Sequence, residues 1–171
     1  HARVTRRTLP EGGGTVIVKE TLSVPAARKL VQEARMLARV AHVEGVVKLA
    51  DVPPQPKTLV FKDEGGVALA AYLREHTLDA AQIVAYGSEV ARILAGIHRA
   101  GVIHKDIGPA NLLIHPVSHR ATVIDFNIAA VAEEQQAETE EQGGIAGTLA
   151  YMSPEQTGRT GRLPDLRSDL Y

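Results

Sequence analysis

Three short apolar runs in the second half of the chain each stand beside a polar cluster, and this constrains the fold more than any other feature. Val102-Ile103 leads into His104-Lys105-Asp106, Leu112-Leu113-Ile114 follows Asn111, and Ala121-Thr122-Val123-Ile124 leads into Asp125-Phe126-Asn127. Runs of this length and composition read as strands. Side chains able to do chemistry therefore stand at strand ends, in a fixed order along the chain.

The segments before them alternate between strand and helix patterns. Thr15-Val16-Ile17-Val18-Lys19 is a β-branched run entered from Gly12-Gly13-Gly14, with the residues around Val4 as its partner strand. Leu30, Val31, Ala34, Leu37, Ala38 and Ala41 recur at helical spacing, which predicts an amphipathic helix over residues 25–41. Val46-Val47-Lys48-Leu49 and Thr58-Leu59-Val60-Phe61 are two further strand candidates around a proline-rich turn. Gly65-Gly66 is the candidate hinge. Beyond it, Asp79 with Gln82 three residues on forms a capping-box pattern, and a helix follows to about Ala100, where Gly101 stops it. Residues 133–142 are acidic and polar without a hydrophobic period and predict a mobile surface loop.

The expected fold class is α+β and two-lobed. Residues 1–64 would form a β-rich lobe with one helix, and residues 65–171 a largely helical lobe. Both ends look cut.

Composition narrows the function classes. A net charge of −1, with 19 basic against 20 acidic residues, argues against a nucleic-acid or anionic-membrane footprint. The absence of cysteine excludes disulfides, thiolate metal sites and a cysteine nucleophile. No run of eighteen or more apolar residues is present, so no membrane segment is expected, and the expected location is cytoplasmic. The scattered histidines His42, His76, His98, His115 and His119 show no metal-ligand spacing and read as surface or packing residues.

In order, residues 104–111, Asp125-Phe126-Asn127 and the tract Gly147-Thr148-Leu149-Ala150-Tyr151-Met152-Ser153-Pro154-Glu155 resemble the motif set of eukaryotic-type protein kinases. Those motifs are the catalytic loop, the metal-binding Asp-Phe-Gly and the Ala-Pro-Glu segment. Val16-Ile17-Val18-Lys19 resembles the strand that carries the phosphate lysine, and Glu33 stands where the family has the helix glutamate paired with it. The resemblance implies Asp106 as base, Asn111 and Asp125 as Mg²⁺ ligands, and Lys19 on the ATP phosphates. It implies Thr148 beside the catalytic aspartate and Phe61, Lys62, Asp63 and Glu64 along the adenine. His104 would pack near Phe126, and residues 168–171 would open a helix that anchors the catalytic loop from below. Gly12-Gly13-Gly14 lies too close to the lysine strand for the family's glycine-rich loop, and no Walker-type Gly-Lys-Ser/Thr follows it.

Three positions depart from the family pattern. Asn127 stands where glycine is usual; asparagine tolerates positive φ, which would preserve the turn. Gly108 replaces a lysine that reaches the γ-phosphate, removing one cation from the transition state. Lys105 replaces an arginine, keeping the charge but losing the bidentate fork that grips a phosphorylated loop.

The reading that follows is an ATP- and Mg²⁺-dependent protein serine/threonine kinase domain acting on a protein hydroxyl, with the truncated chain alone inactive. The tract 147–158 also resembles kinase-like domains of large bacterial signalling proteins, which implies further signalling modules in the same chain. The alternative is a pseudokinase, a nucleotide-responsive interaction module in which Gly108 and Asn127 mark decayed chemistry. A small-molecule kinase on the same fold is disfavoured by the Gly-Thr…Ser-Pro-Glu tract.

Overall fold

The computed structural model describes residues 2–9, 14–21, 23–53, 55–137 and 147–171. The chain begins with β1 (Arg3–Thr8) and β2 (Thr15–Glu20), which pair antiparallel with Val4 opposite Lys19. The turn between them closes with the Leu9 amide donating to the Gly14 carbonyl at 2.9 Å; Gly12 and Gly13 lie outside the described residues. β3 (Thr58–Lys62) pairs along the other edge of β2, giving the order β1-β2-β3. The period of two along β2 buries Val16 and Val18 and leaves Ile17 and Lys19 on the opposite face.

Helix α1 (Val24–Arg39) starts at Ser23, whose hydroxyl accepts from the Ala26 amide. Its buried face is Leu30, Glu33, Met36, Leu37 and Val40. The spacing is that of a helix packed on one side. One member of that apolar stripe is a carboxylate.

The strand expected at residues 46–49 does not form as a regular element. Val46 makes a single parallel bridge to Val123 and Leu49 a single antiparallel bridge to Phe61. The apolar run spans two sheets instead of joining either along its length. Gly45, at φ +86, fixes the crossing: a Cβ there would stand 2.5 Å from the fully buried Ile93 side chain. The Gly45 carbonyl accepts from the Val123 amide at 2.8 Å.

Past Gly65 and Gly66 the chain forms β4 (Val67–Ala68), the one-turn helix α2 (Leu69–Tyr72) and α3 (Ala80–Arg99). The expected capping box is present, with Asp79 accepting from the Gln82 amide and Gln82 accepting from the Asp79 amide. Then come β5 (Val102–Ile103), β6 (Leu112–His115), β7 (Arg120–Val123) and β8 (Ala130–Val131). β6 lies between β4 and β7, and β5 pairs with β8. One core joins both halves; Met36, Val40, Ile93, Ile97, Val123 and Phe126 within it are fully buried.

The acidic stretch corrects another expectation. Its start is not loop but helix α4 (Ala132–Ala137), fixed by tertiary bonds rather than by periodicity: the Ala132 amide donates to the Gly101 carbonyl at 2.8 Å, and Gln135 is buried. Residues 138–146, including Thr139, lie outside the described residues. Three 3₁₀ turns follow, at Leu149–Tyr151, Glu155–Thr157 and Leu166–Leu170. Among the described residues no helix is long and apolar enough to cross a membrane.

Candidate active site

Lys19 projects from β2 between two carboxylates. Its Nζ lies 2.7 Å from Glu33 Oε2 and 2.8 Å from Asp125 Oδ1. Burial works against the ammonium, but Glu33 and Asp125 outweigh it and hold the Lys19 pKa above the usual lysine value. Glu33 is almost completely buried; desolvation raises its pKa, and Lys19 offsets only part of that rise. Glu33 also accepts from the Phe126 backbone, so α1, β2 and the segment after β7 meet at one point.

A second cluster surrounds Asp106. Its Oδ1 accepts from the Thr148 amide at 2.7 Å and its Oδ2 from Asn111 Nδ2 at 2.8 Å. Thr148 thus meets Asp106 through its backbone N–H. Gly147, at φ +125, makes that approach possible, because a Cβ there would stand 3.0 Å from the Lys105 carbonyl. Asn111 Nδ2 donates to the Asp106 carbonyl as well, which commits the amide nitrogen and leaves the amide oxygen as the side chain's acceptor.

The catalytic-loop backbone is held from below. Asp169, on the last 3₁₀ turn with its side chain fully buried, accepts from the His104 amide at 2.9 Å and the Lys105 amide at 2.8 Å. It also accepts from His98 Nε2 at 2.9 Å, so His98 serves a buried anchor rather than a surface. His104 packs edge-on to Phe126 with ring centroids 4.7 Å apart, as expected. Its Nε2 donates to the Ile124 carbonyl and its Nδ1 accepts from the Asp106 amide, an arrangement that needs the neutral ring. Burial correspondingly pushes the His104 pKa down.

The two clusters meet through β6 and β7. Leu112 pairs with Val123, and the Ile124 amide donates to the Asn111 carbonyl at 3.0 Å, so Asn111 and Asp125 leave the ends of neighbouring strands. A cavity of about 290 Å³ opens beside Lys19, Glu33 and Asp125. Ile17, Val47, Leu113 and Ile124 supply apolar wall, and Phe61, Lys62, Asp63 and Glu64 run along its edge. Asp106, Asn111 and Thr148 are not part of its lining; Asn111 is linked to it through the Ile124 amide. Asp63 is committed to structure: it accepts from Arg6, Thr15 Oγ1 and the Gly65 amide, which together hold its carboxyl below the usual range despite the opposing effect of burial.

Two departures from the expected pattern acquire a physical setting. Asn127 is not in the left-handed region; Asp125 is, at φ 65, so the turn's strain sits on the aspartate. At Gly108, a Cβ would stand 3.1 Å from Tyr151 Cδ2, and the tyrosine ring occupies the space a side chain there would need.

The sequence pattern of the family described as Protein kinase domain matches residues 11–171. This chain belongs to that family. The kinase domain is 33% identical over 150 residues to Serine/threonine-protein kinase pkn2 of Myxococcus xanthus, a match covering 85% of this chain and 18% of that protein. It is 34% identical over 145 residues to Pkn1 of the same organism, covering 81% and 20%. Against the DNA damage-responsive serine/threonine-protein kinase RqkA of Deinococcus radiodurans it is 30% identical over 149 residues, covering 84% and 22%. The kinase domain spans about a fifth of the length of these curated relatives.

Sequence reasoning missed three contributors to this kinase domain. His98 carries no spacing signal because its partner is 71 residues away. Gln135 accepts from Lys105 Nζ at 2.7 Å out of a stretch read as loop. Gln156, from the tract after Thr148, donates to the Lys105 carbonyl at 2.6 Å.

Proposed function

We propose that this chain is the catalytic part of a protein serine/threonine kinase, which passes the γ-phosphoryl group of ATP to a hydroxyl of a protein substrate. The observation that carries the reading is Lys19 held between Glu33 and Asp125 at the mouth of an apolar cavity, one strand end from Asn111 and Asp106. Adenine occupies the apolar cavity along residues 61–64, and Lys19 holds the α- and β-phosphates while Glu33 orients it. Asp106 takes the proton of the attacking hydroxyl and holds that hydroxyl in line. Asn111 and Thr148 fix both oxygens of Asp106 before substrate arrives, so little reorganisation is left for the reaction.

The donor set fits Mg²⁺. The Asn111 amide oxygen and the Asp125 carboxylate are hard ligands on neighbouring strand ends, and Mg²⁺ ordinarily takes one or two protein oxygens and completes its shell from phosphate and water. Among the described residues no group of three or more His, Cys, Asp or Glu competes as a metal site. Held by Asn111 and Asp125, Mg²⁺ would supply charge neutralisation for the phosphate oxygens. On this reading Gly65-Gly66 divides a small lobe, residues 1–64, from a large one, residues 65–171. Further signalling modules in the same natural chain are supported by the greater length of the matched relatives. The need for ATP supports a cytoplasmic setting.

The test is Asp106→Asn in the complete natural chain, with transfer of radiolabelled γ-phosphate and ATP affinity measured side by side. Loss of transfer by at least about 10²-fold with ATP affinity retained is the expected result. Equal transfer removes Asp106 from the base position, and a wild-type protein that binds ATP without transferring phosphate supports the pseudokinase instead.

A further inference from the structure

We infer that α4 is a strut that couples the position of α1 to the catalytic loop, with Glu134 and Gln135 as its two positioning residues. β8 pairs with β5 residue for residue, Val131 opposite Val102 and Ala130 opposite Ile103, and the Ala132 amide caps onto the Gly101 carbonyl. β5 runs directly into His104 and Lys105, so the start of α4 is pinned beside the catalytic loop.

Neighbouring residues on a helix point about 100° apart. Glu134 and Gln135 therefore address two different elements. Gln135 turns inward, is buried, and accepts from Lys105 Nζ at 2.7 Å. Glu134 turns outward and takes both guanidinium nitrogens of Arg35 on α1, a bidentate pair. Arg35 lies two residues beyond Glu33. Gln32, on the other side of Glu33, donates its Nε2 to the Ala129 carbonyl at 3.2 Å just before β8. The helix that carries Glu33 is thus tied on both flanks to the segment that ends in α4, and α4 is tied to the residue preceding Asp106. A change that moves α1 outward breaks the Arg35 fork, and the same helix bears on Lys105.

The role presumes the kinase reading above; the contacts do not. The experiment uses the complete natural protein as wild type, Glu134→Ala, Gln135→Ala and the exchange Arg35→Glu/Glu134→Arg. Amide hydrogen exchange is followed in residues 26–39 and 104–106, together with phosphoryl transfer from ATP. A strut predicts a cross effect: Glu134→Ala speeds exchange in the catalytic loop as well as in α1, and Gln135→Ala speeds it in α1 as well as in the loop. The size expected for contacts of this kind is about two- to fivefold. The charge exchange restores wild-type protection, and transfer follows the same order. Each variant loosening only its own contact, or a charge exchange that fails to restore protection, overturns the strut. A wild type that transfers no phosphate, yet shows the cross effect, overturns the kinase reading and leaves the strut standing.

Discussion

Asp169→Ala probes what keeps the catalytic loop in a conformation that its own residues disfavour. Lys105 sits at φ 68, a left-handed backbone that costs a non-glycine residue on the order of 1–2 kcal/mol. Its amide and that of His104 both end on the Asp169 carboxylate, at 2.8 and 2.9 Å, in a place closed to water. Removing the carboxylate strands two backbone donors, that of His104 buried and that of Lys105 part-buried. At about 1–3 kcal/mol for each unsatisfied group, the loss is about 4 kcal/mol, with the freed His98 ring adding to it. A domain of ordinary stability has about 5–15 kcal/mol in all, so the variant should unfold at markedly lower denaturant. Urea unfolding of the complete domain gives the total, and exchange of the His104 and Lys105 amides locates it. Asp169→Asn, which keeps one carbonyl oxygen, should lose an intermediate amount. A loss under about 1 kcal/mol for Asp169→Ala, with those two amides still protected, would refute the reasoning, because it would mean that the loop is held without the carboxylate.

Two further outcomes follow from buried groups. The folded pKa of His104 lies below its ordinary value, so on the acid side of about pH 6.5 the unfolded chain binds a proton there that the folded chain refuses. The stability held by the neutral ring is complete above that pH and falls as pH drops toward the lowered folded value, by up to about 1.4 kcal/mol per pH unit. Unfolding free energies measured across this range for wild type and His104→Gln should show the slope shrinking in the variant. Gly45→Ala should cost about 3 kcal/mol, from an alanine forced to positive φ and a methyl driven to 2.5 Å from Ile93, which is fully buried and has nowhere to go. A thermal midpoint unchanged from wild type would mean that the crossing loop can shift.

What could be read from the sequence was what local chemistry decides. Asp79 and Gln82 mark their helix start through bonds three residues apart, and the β-branched run ending at Lys19 needs only a period of two. The order of Asp106, Asn111 and Asp125 along the chain was legible because each follows or precedes a short apolar strand. The errors fall where distant partners overrule the local pattern. Val46 to Leu49 has strand composition, but its backbone partners, Val123 and Phe61, belong to different sheets. The acidic stretch lacks a hydrophobic stripe, yet its first residues turn into helix because Gly101 takes the first amide and Lys105 takes Gln135.

The strain at the site shows the same limit from the other side. A reader of sequence looks for positive φ at glycine and expects it where a glycine has been replaced, hence at Asn127. In the fold it sits instead on Lys105 and Asp125, one beside the proposed base and the other at the proposed metal ligand. Neither residue signals it. Each is held by a charge partner far away in the chain: the Lys105 amide by Asp169, 64 residues on, and the Asp125 carboxylate by Lys19, 106 residues back. Strain imposed by such contacts lasts only while they last, so the site should assemble with the fold as a whole rather than from its motifs one by one. Weakening either contact should therefore release the backbone at the chemical centre before it melts the helices that carry the core.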